Sequence, residues 1–360
     1  MKKSLKLISF ILCISTLILC VPSCRRNDEA DVHVFYYTYS DPYISTVRSA
    51  LDKRLDAARI KYQDHDGNNS QTTQTEQIQT AITKGAKAII VNIVTTGSDD
   101  AASGIVSLAK NAGIPVIFFN REVSDDIVKS YDKCAFIGTN AKEAGYLQGD
   151  MIGDYLVNNF DAVDLNKDGK ISYVLFMGEK GNNEAIYRTT YSVENANKKL
   201  TAAGKPVLSF YDPQNMDKYL LDREGKWSAQ AANEYMSTLL SSYNVASNNM
   251  VELIICNNDG MAEGAISALN NAGFNTGAQN SVTIPVFGVD ATSAAKDLIS
   301  QGKMAGTIKQ DADGMAEAIS IAVNNHLAEK TVTEGMDKFA VDEAVMKIRV
   351  PYSVYLKDNG

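Results

Sequence analysis

The nine residues Asp164-Leu165-Asn166-Lys167-Asp168-Gly169-Lys170-Ile171-Ser172 put oxygen-bearing side chains at loop positions one, three, five and nine, with glycine at six. That is the spacing of an EF-hand-type calcium loop. Ca²⁺ takes roughly six to eight oxygens at roughly 2.3–2.6 Å, and only a sharply turned backbone aims so many at one centre. Asp164, Asn166 and Asp168 supply side-chain oxygens. Lys170 would supply its carbonyl, and Ser172 would bind directly or through water. Position twelve, where a bidentate Glu belongs, is Leu175, and the residues after Gly169 read as a strand rather than a helix. A calcium site here therefore needs a further acid from elsewhere in the fold. The plain alternative is an Asn/Asp-rich turn that binds nothing.

A second set of residues suits hydroxyl recognition. Asp41, Asn120, Asn258, Asp290 and Gln310 each fall at the carboxyl end of an apolar run, where open parallel sheets bind ligands. Each has the ordinary alternative of capping the next helix. Asp and Asn offer paired acceptors, or an acceptor with donors, which suit vicinal hydroxyls. Glu184 and Arg188 lie four apart on one predicted helix face. They are either a surface ion pair worth a few tenths of a kcal/mol or a charged fork gripping a polar ligand. Trp227, the one tryptophan, has polar flanks that fit no buried stripe. Tyr43, next to Asp41 along the chain, is its natural opposite jaw. Two aromatic faces around a flat ring with a polar rim describe a pyranose site.

The elements that must position these residues alternate. Short apolar runs (Val32–Tyr37, Ala88–Asn92, Pro115–Asn120, Ile171–Phe176, Val251–Asn257, Ile284–Asp290) are separated by helical patterns such as Ile44, Val47, Leu51 and Leu55. Further helices are expected near 75–83, 100–111, 141–156, 189–200 and 228–242. The rhythm predicts parallel sheets with helices on both faces and a weak internal duplication of one α/β unit. A length of 360 residues suggests two domains. The net charge of −8 and the absence of a basic run in the mature region give no footprint for nucleic acid.

The first residues read differently. A basic start, an apolar run from Leu7 to Val21 and then Ser23-Cys24 read as a secretory signal. Its end resembles the bacterial lipoprotein cleavage box. Lipid on Cys24 would tether the chain outside the cytoplasmic membrane; a plain cleaved signal or an uncleaved anchor gives the same compartment. Cys134 and Cys256 are then left beside Cys24, too few for a disulfide framework. His33, His65 and His326 are scattered and form no metal motif.

From about residue 32 onward the chain resembles the periplasmic glucose/galactose-binding proteins of bacterial ABC transport. The likeness is carried by Val116–Glu122, Gln148-Gly149-Asp150, Asp164–Ile171, Arg188–Tyr191, Asn257-Asn258-Asp259, Ile284–Asp290 and Arg349–Tyr352. It implies an α/β two-lobed fold, each lobe a parallel sheet flanked by helices, with a three-strand hinge near 138–140, 310–312 and 349–351. The lobes would be residues 25–138 plus 313–348, and 141–309 plus 352–360, after a signal over 1–24. It implies a monosaccharide held between Tyr43 and Trp227, with Asp41, Asn120, Arg188, Asn258 and Asp290 on its hydroxyls. Glu252 would be the missing Ca²⁺ ligand. Three pocket positions depart from the family pattern: Asn182 stands for His, Glu184 for Asp and Gln310 for Asn. Tyr43 also replaces Phe, and Ser172 replaces a Gln in the loop. The resemblance further implies a monomer that closes on its sugar and hands it to a membrane permease, or shows itself to a chemoreceptor. Two rivals remain. One is the sensing half of a repressor, whose DNA-binding segment would sit where the signal lies. The other is a sugar-processing enzyme, with Asp41 or Glu184 in an acid/base pair.

Overall fold

The structure, a computed structural model, describes residues 30–357. The signal segment and Cys24 lie outside the described residues.

In the first lobe, β1 (Val32–Tyr36), α1 (Pro42–Ala57), β2 (Tyr62–Asp66), α2 (Gln71–Thr83), β3 (Ala88–Val91), α3 (Asp100–Ala112), β4 (Val116–Phe119), α4 (Asp125–Lys129) and β5 (Cys134–Gly138) follow in order. The second lobe opens with α5 (Ala141–Val163), β6 (Ser172–Met177), α6 (Asn183–Ala202), β7 (Ser209–Phe210) and β8 (Leu220–Leu221). It continues with α7 (Ala229–Ser242), β9 (Leu253–Cys256), α8 (Asp259–Asn271), β10 (Val286–Asp290), α9 (Ser293–Ser300) and β11 (Gly306–Gln310). The chain then returns to the first lobe through α10 (Ala312–Leu327), β12 (Ala340–Asp342) and β13 (Lys347–Arg349), and ends in the second with β14 (Tyr352–Tyr355).

Each lobe has one sheet. Their orders are β12-β13-β5-β4-β3-β1-β2 and β14-β11-β10-β9-β6-β7, with β8 also on β6. The strands β2-β1-β3-β4-β5 and β7-β6-β9-β10-β11 run in the same relative order, and their pairings are parallel. The duplication expected from the rhythm is therefore topological. The antiparallel pairs, β12 with β13 and β11 with β14, lie at the ends of the sheets. The chain passes from one sheet to the other between Gly138 and Ala141, between Gln310 and Ala312, and between Arg349 and Tyr352.

Local chemistry explains the elements. Strands β1, β3, β4 and β9 are buried along their whole length, because helices cover both faces and an apolar run needs no alternation. Helix α1 starts where the Asp41 side chain accepts from the Ile44 amide and Pro42 pre-sets the first turn. It then buries Ile44, Val47, Leu51 and Leu55. Helix α6 begins at Asn183, capped by Asn182, ahead of the apolar pattern near 189 and in line with the helix face expected for Glu184 and Arg188. Its first turns bury Glu184 and Arg188, so the apolar pattern understates the helix. Strand β2 (Tyr-Gln-Asp-His-Asp) is not among the apolar runs of the sequence. It ends its sheet with no fully buried residue, and so carries no apolar signal.

Helix α6 is held close to α5. A β-carbon at Gly145 would sit 2.4 Å from the Tyr187 carbonyl oxygen, and one at Gly149 would sit 2.7 Å from that of Ser192. The glycine seam thus lets the backbones touch and fixes the helix that carries Glu184 and Arg188. Gln148 ties α5 to the strand ends by donating to the carbonyls of Cys256 at 3.0 Å and Gly288 at 3.2 Å. Cys134 and Cys256 are free, buried and in different lobes. Among the described residues, no helix is long and apolar enough to cross a membrane.

Candidate functional site

Asp41, Tyr43, Asn120, Asn182, Glu184, Arg188, Trp227, Asn258, Asp290 and Gln310 line one cavity between the lobes. Tyr37 and Arg121 complete the wall. Neither was singled out in the sequence: Tyr37 closes an apolar run and Arg121 looks like any turn cation.

Of the strand-end residues, Asp41 and Asn258 both cap a helix and line the cavity, whereas Asn120, Asp290 and Gln310 line it without capping. Asp41 Oδ1 accepts from the Ile44 amide at 2.9 Å while Oδ2 accepts from the Tyr37 hydroxyl at 2.6 Å. Asn258 Oδ1 accepts from the Met261 amide at 2.9 Å, and its Nδ2 donates to the Trp227 carbonyl at 3.3 Å. Asn120 takes the left-handed conformation, φ 61°, and its Oδ1 accepts from Asn92 at 3.1 Å. Asp290 sits at φ 125°, a costly backbone for a residue with a β-carbon. It leaves the capping of α9 to Thr292.

The two aromatic jaws come from different lobes. Tyr43 lies on α1 and Trp227 just before α7. Both are nearly buried and edge the same cavity. The extra hydroxyl of Tyr43 reaches the Met315 sulfur at 3.7 Å. Trp227 packs flat on Gly178, where a β-carbon would fall 2.1 Å from the ring.

The surface ion pair drawn from Glu184 and Arg188 is not found. Both side chains are buried. Arg188 donates to the Asn257 carbonyl at 2.9 Å, Gln310 Oε1 at 3.1 Å and the Tyr352 hydroxyl at 3.0 Å. Neither Glu184 oxygen has a hydrogen-bond partner, nor do Gln310 Nε2 and Arg188 Nε. Burial, against the pull of Arg188, pushes the Glu184 carboxyl up to about 7. Burial likewise holds Asp290 well above the usual carboxylate range.

The loop from Asp164 to Ser172 turns as its residue types require, with Lys167 at φ 61° and Gly169 at φ 80°. Asp164 accepts from the amides of Asp168 at 3.2 Å and Gly169 at 3.0 Å. Asp168 accepts from the Lys170 amide at 2.9 Å. Glu252, just before β9, reaches into the loop. Its carboxylate accepts from the amides of Leu165 at 2.7 Å, Asn166 at 3.2 Å and Ser172 at 3.0 Å. Leu175 points into the second lobe's core. Among the described residues, no three His, Cys, Asp or Glu side chains converge as a metal cluster; the carboxylates are turned onto the loop's own amides. The donor set of carboxylates, one amide oxygen, one hydroxyl and one carbonyl is nonetheless hard oxygen throughout, which fits Ca²⁺.

Two duplicated α/β lobes, crossed three times by the chain around a polar, aromatic-edged cleft, define a bilobal solute receptor. The chain belongs to the Periplasmic binding protein domain family, whose profile matches residues 32–331. It is 36% identical over 330 residues to the D-galactose/methyl-galactoside binding periplasmic protein of Haemophilus influenzae, covering 91% of this chain and 90% of that protein. It is 27% identical over 302 residues to the multiple sugar-binding periplasmic receptor of Rhizobium radiobacter, covering 81% of this chain and 76% of that one. Among solved structures, a solute-binding protein of Clostridium phytofermentans with bound β-D-glucose matches with a TM-score of 0.71 at 19% identity, covering 91% of this chain and 94% of that one. A Bacillus halodurans solute-binding protein with bound myo-inositol matches with a TM-score of 0.66 at 23% identity, covering 93% and 97%. These two structures share the fold. The relatives are binding proteins by name.

Proposed function

We propose that this chain is an extracytoplasmic receptor that binds one monosaccharide, D-galactose, D-glucose or a close relative, in the interlobe cleft and delivers it to an ABC permease. The observation that carries the reading is the set of buried polar atoms left without partners around the cavity: both Glu184 oxygens, Gln310 Nε2 and Arg188 Nε. Unpaired buried polar groups each cost about 1–3 kcal/mol. A ring bearing several hydroxyls supplies donors and acceptors to all of them at once. Tyr43 and Trp227 would cover its apolar faces, while Asp41, Asn120, Asn182, Asn258 and Asp290 hold the rim. Glu184 and Gln310 are longer than the residues the family resemblance implies, so the cavity suits a sugar whose hydroxyls are met from further away.

The sugar bridges both lobes, so the closed state gains contacts the open state lacks. The three crossings are where opening would bend. The closed monomer is what a permease, or a chemoreceptor, would recognise. The N-terminal signal pattern and Cys24 support export and a lipid tether. No proton-transfer pair is needed for this role, and the chain acts by binding alone. Calcium would be held by Asp164, Asn166, Asp168, the Lys170 carbonyl, Ser172 and Glu252, and would add stability by tying the loop to β9. Thermal melts with a panel of hexoses, pentoses and inositols test the reading. A rise in melting temperature with at least one sugar supports it, and no shift with any of them refutes it.

A further inference from the structure

A line of contacts joins the two lobes without passing through the ligand space. Arg121, in the turn after β4, is buried. Its Nη2 donates to the Val94 carbonyl at 2.8 Å and to both oxygens of Glu179 at 2.8 and 2.6 Å. Glu179 belongs to the other lobe, just after β6. It also accepts from Trp227 Nε1 at 3.2 Å and from the Thr96 hydroxyl at 3.4 Å. On its far side the Arg121 guanidinium lies over the Tyr37 ring, 4.4 Å from the centroid. Tyr37 in turn donates to Asp41. Trp227 of one lobe is thereby linked to the cavity-lining carboxylate of Asp41 in the other.

We propose that the Arg121–Glu179 pair is an interlobe latch that sets Trp227 and Asp41 for ligand, making both members positioning residues for binding. The pair is charge-assisted and sheltered, its side chains 6% and 17% exposed, so solvent screens it far less than a surface pair. Trp227 sits at φ 55°, a conformation that persists where surroundings hold it. Glu179 holds its ring edge, and Gly178 its face. When the lobes part, Glu179 loses Arg121 to water and the indole N–H loses a fixed acceptor. Closing therefore does more than trap the ligand: it completes the platform. The sugar-binding reading is the premise for the effect on affinity, but not for the latch itself.

Trp227 is the one tryptophan, so emission and acrylamide quenching report it alone. The experiment compares the full chain with Glu179→Gln, Arg121→Gln, the double variant and Arg121→Lys, without sugar and with D-galactose. The latch predicts that each Gln variant alters Trp227 quenching and weakens D-galactose binding by about tenfold, that the double variant loses no more than either single one, and that Arg121→Lys largely recovers both. Recovery follows because a single nitrogen makes every Arg121 hydrogen bond described above. Additive losses, or quenching unchanged in both states, overturn the latch. If the unmodified chain binds no sugar of the hexose, pentose and inositol panel while Arg121→Gln still changes quenching, the latch stands and the sugar reading falls.

Discussion

Glu184 and Arg188 stand one helical turn apart, both buried, yet Arg188 spends its donors on Asn257, Gln310 and Tyr352 and leaves the Glu184 carboxylate bare. A bare buried carboxylate titrates late. With Glu184 raised from 4.5 to about 7 by burial, the folded chain holds this proton where the unfolded chain has lost it. Ligand-free stability from this group is thus fullest below about 4.5 and falls as pH rises towards 7. Sugar hydroxyls donate to the ionised form, so binding runs the other way. Affinity should weaken as pH drops below about 7, by up to about tenfold per unit, and Glu184→Gln should flatten that part of the profile. Titration calorimetry from pH 5 to 8 reads both.

Gly178 is where the indole rests. Gly178→Ala would drive a β-carbon into the Trp227 ring and push the platform into the cleft. Binding of D-galactose should fall by at least about tenfold, with a smaller change in melting temperature. Intact affinity would mean that the ring does not form the floor of the site.

Trp227→Ala removes a sheltered aromatic face and should cost about 2 kcal/mol of binding, about 30-fold. Trp227→Phe should recover part of it. Calorimetry on both variants checks the stacking role, since a wall that merely excludes water would distinguish them little.

Much of this site is readable in the sequence, for a physical reason. Buried parallel strands are continuous apolar runs, so the polar residue that ends each run, as Asn120, Asn258 and Asp290 do, stands out. The calcium-type loop is visible because its spacing is local. Arg121 and Glu179 were not legible. Each follows a strand as an ordinary charged turn residue, and only the tertiary fold makes them partners. Strand β2 was hidden because its residues are mostly polar and none is fully buried; His65 meets His33 and Phe35 of β1 only once the strands pair. The start of α6 shows in the four-residue spacing of Glu184 and Arg188 rather than in apolar periodicity, because its buried face is charged. Asp41 shows why capping and lining the cavity need not compete, since one carboxylate oxygen caps α1 while the other meets the Tyr37 hydroxyl at the cavity wall.

The loop gives a prediction of its own. Ca²⁺ at about 100 times its Kd should stabilise the chain by about 2.7 kcal/mol, a chelator should remove the gain, and Glu252→Gln should abolish most of it. D-galactose affinity should hardly change, because the loop lies away from the cleft residues. Melts with Ca²⁺, with Mg²⁺ and with chelator decide it; no response to Ca²⁺ would leave the loop a plain turn.

The central claim, that the cleft holds one small polyhydroxylated ring, is met most directly by titrating the purified chain with D-galactose, D-glucose and a panel of related sugars in a calorimeter. The account predicts saturable one-to-one binding to at least one of them, lost in Trp227→Ala and in Asp290→Ala. Heat of dilution alone across the whole panel would contradict it.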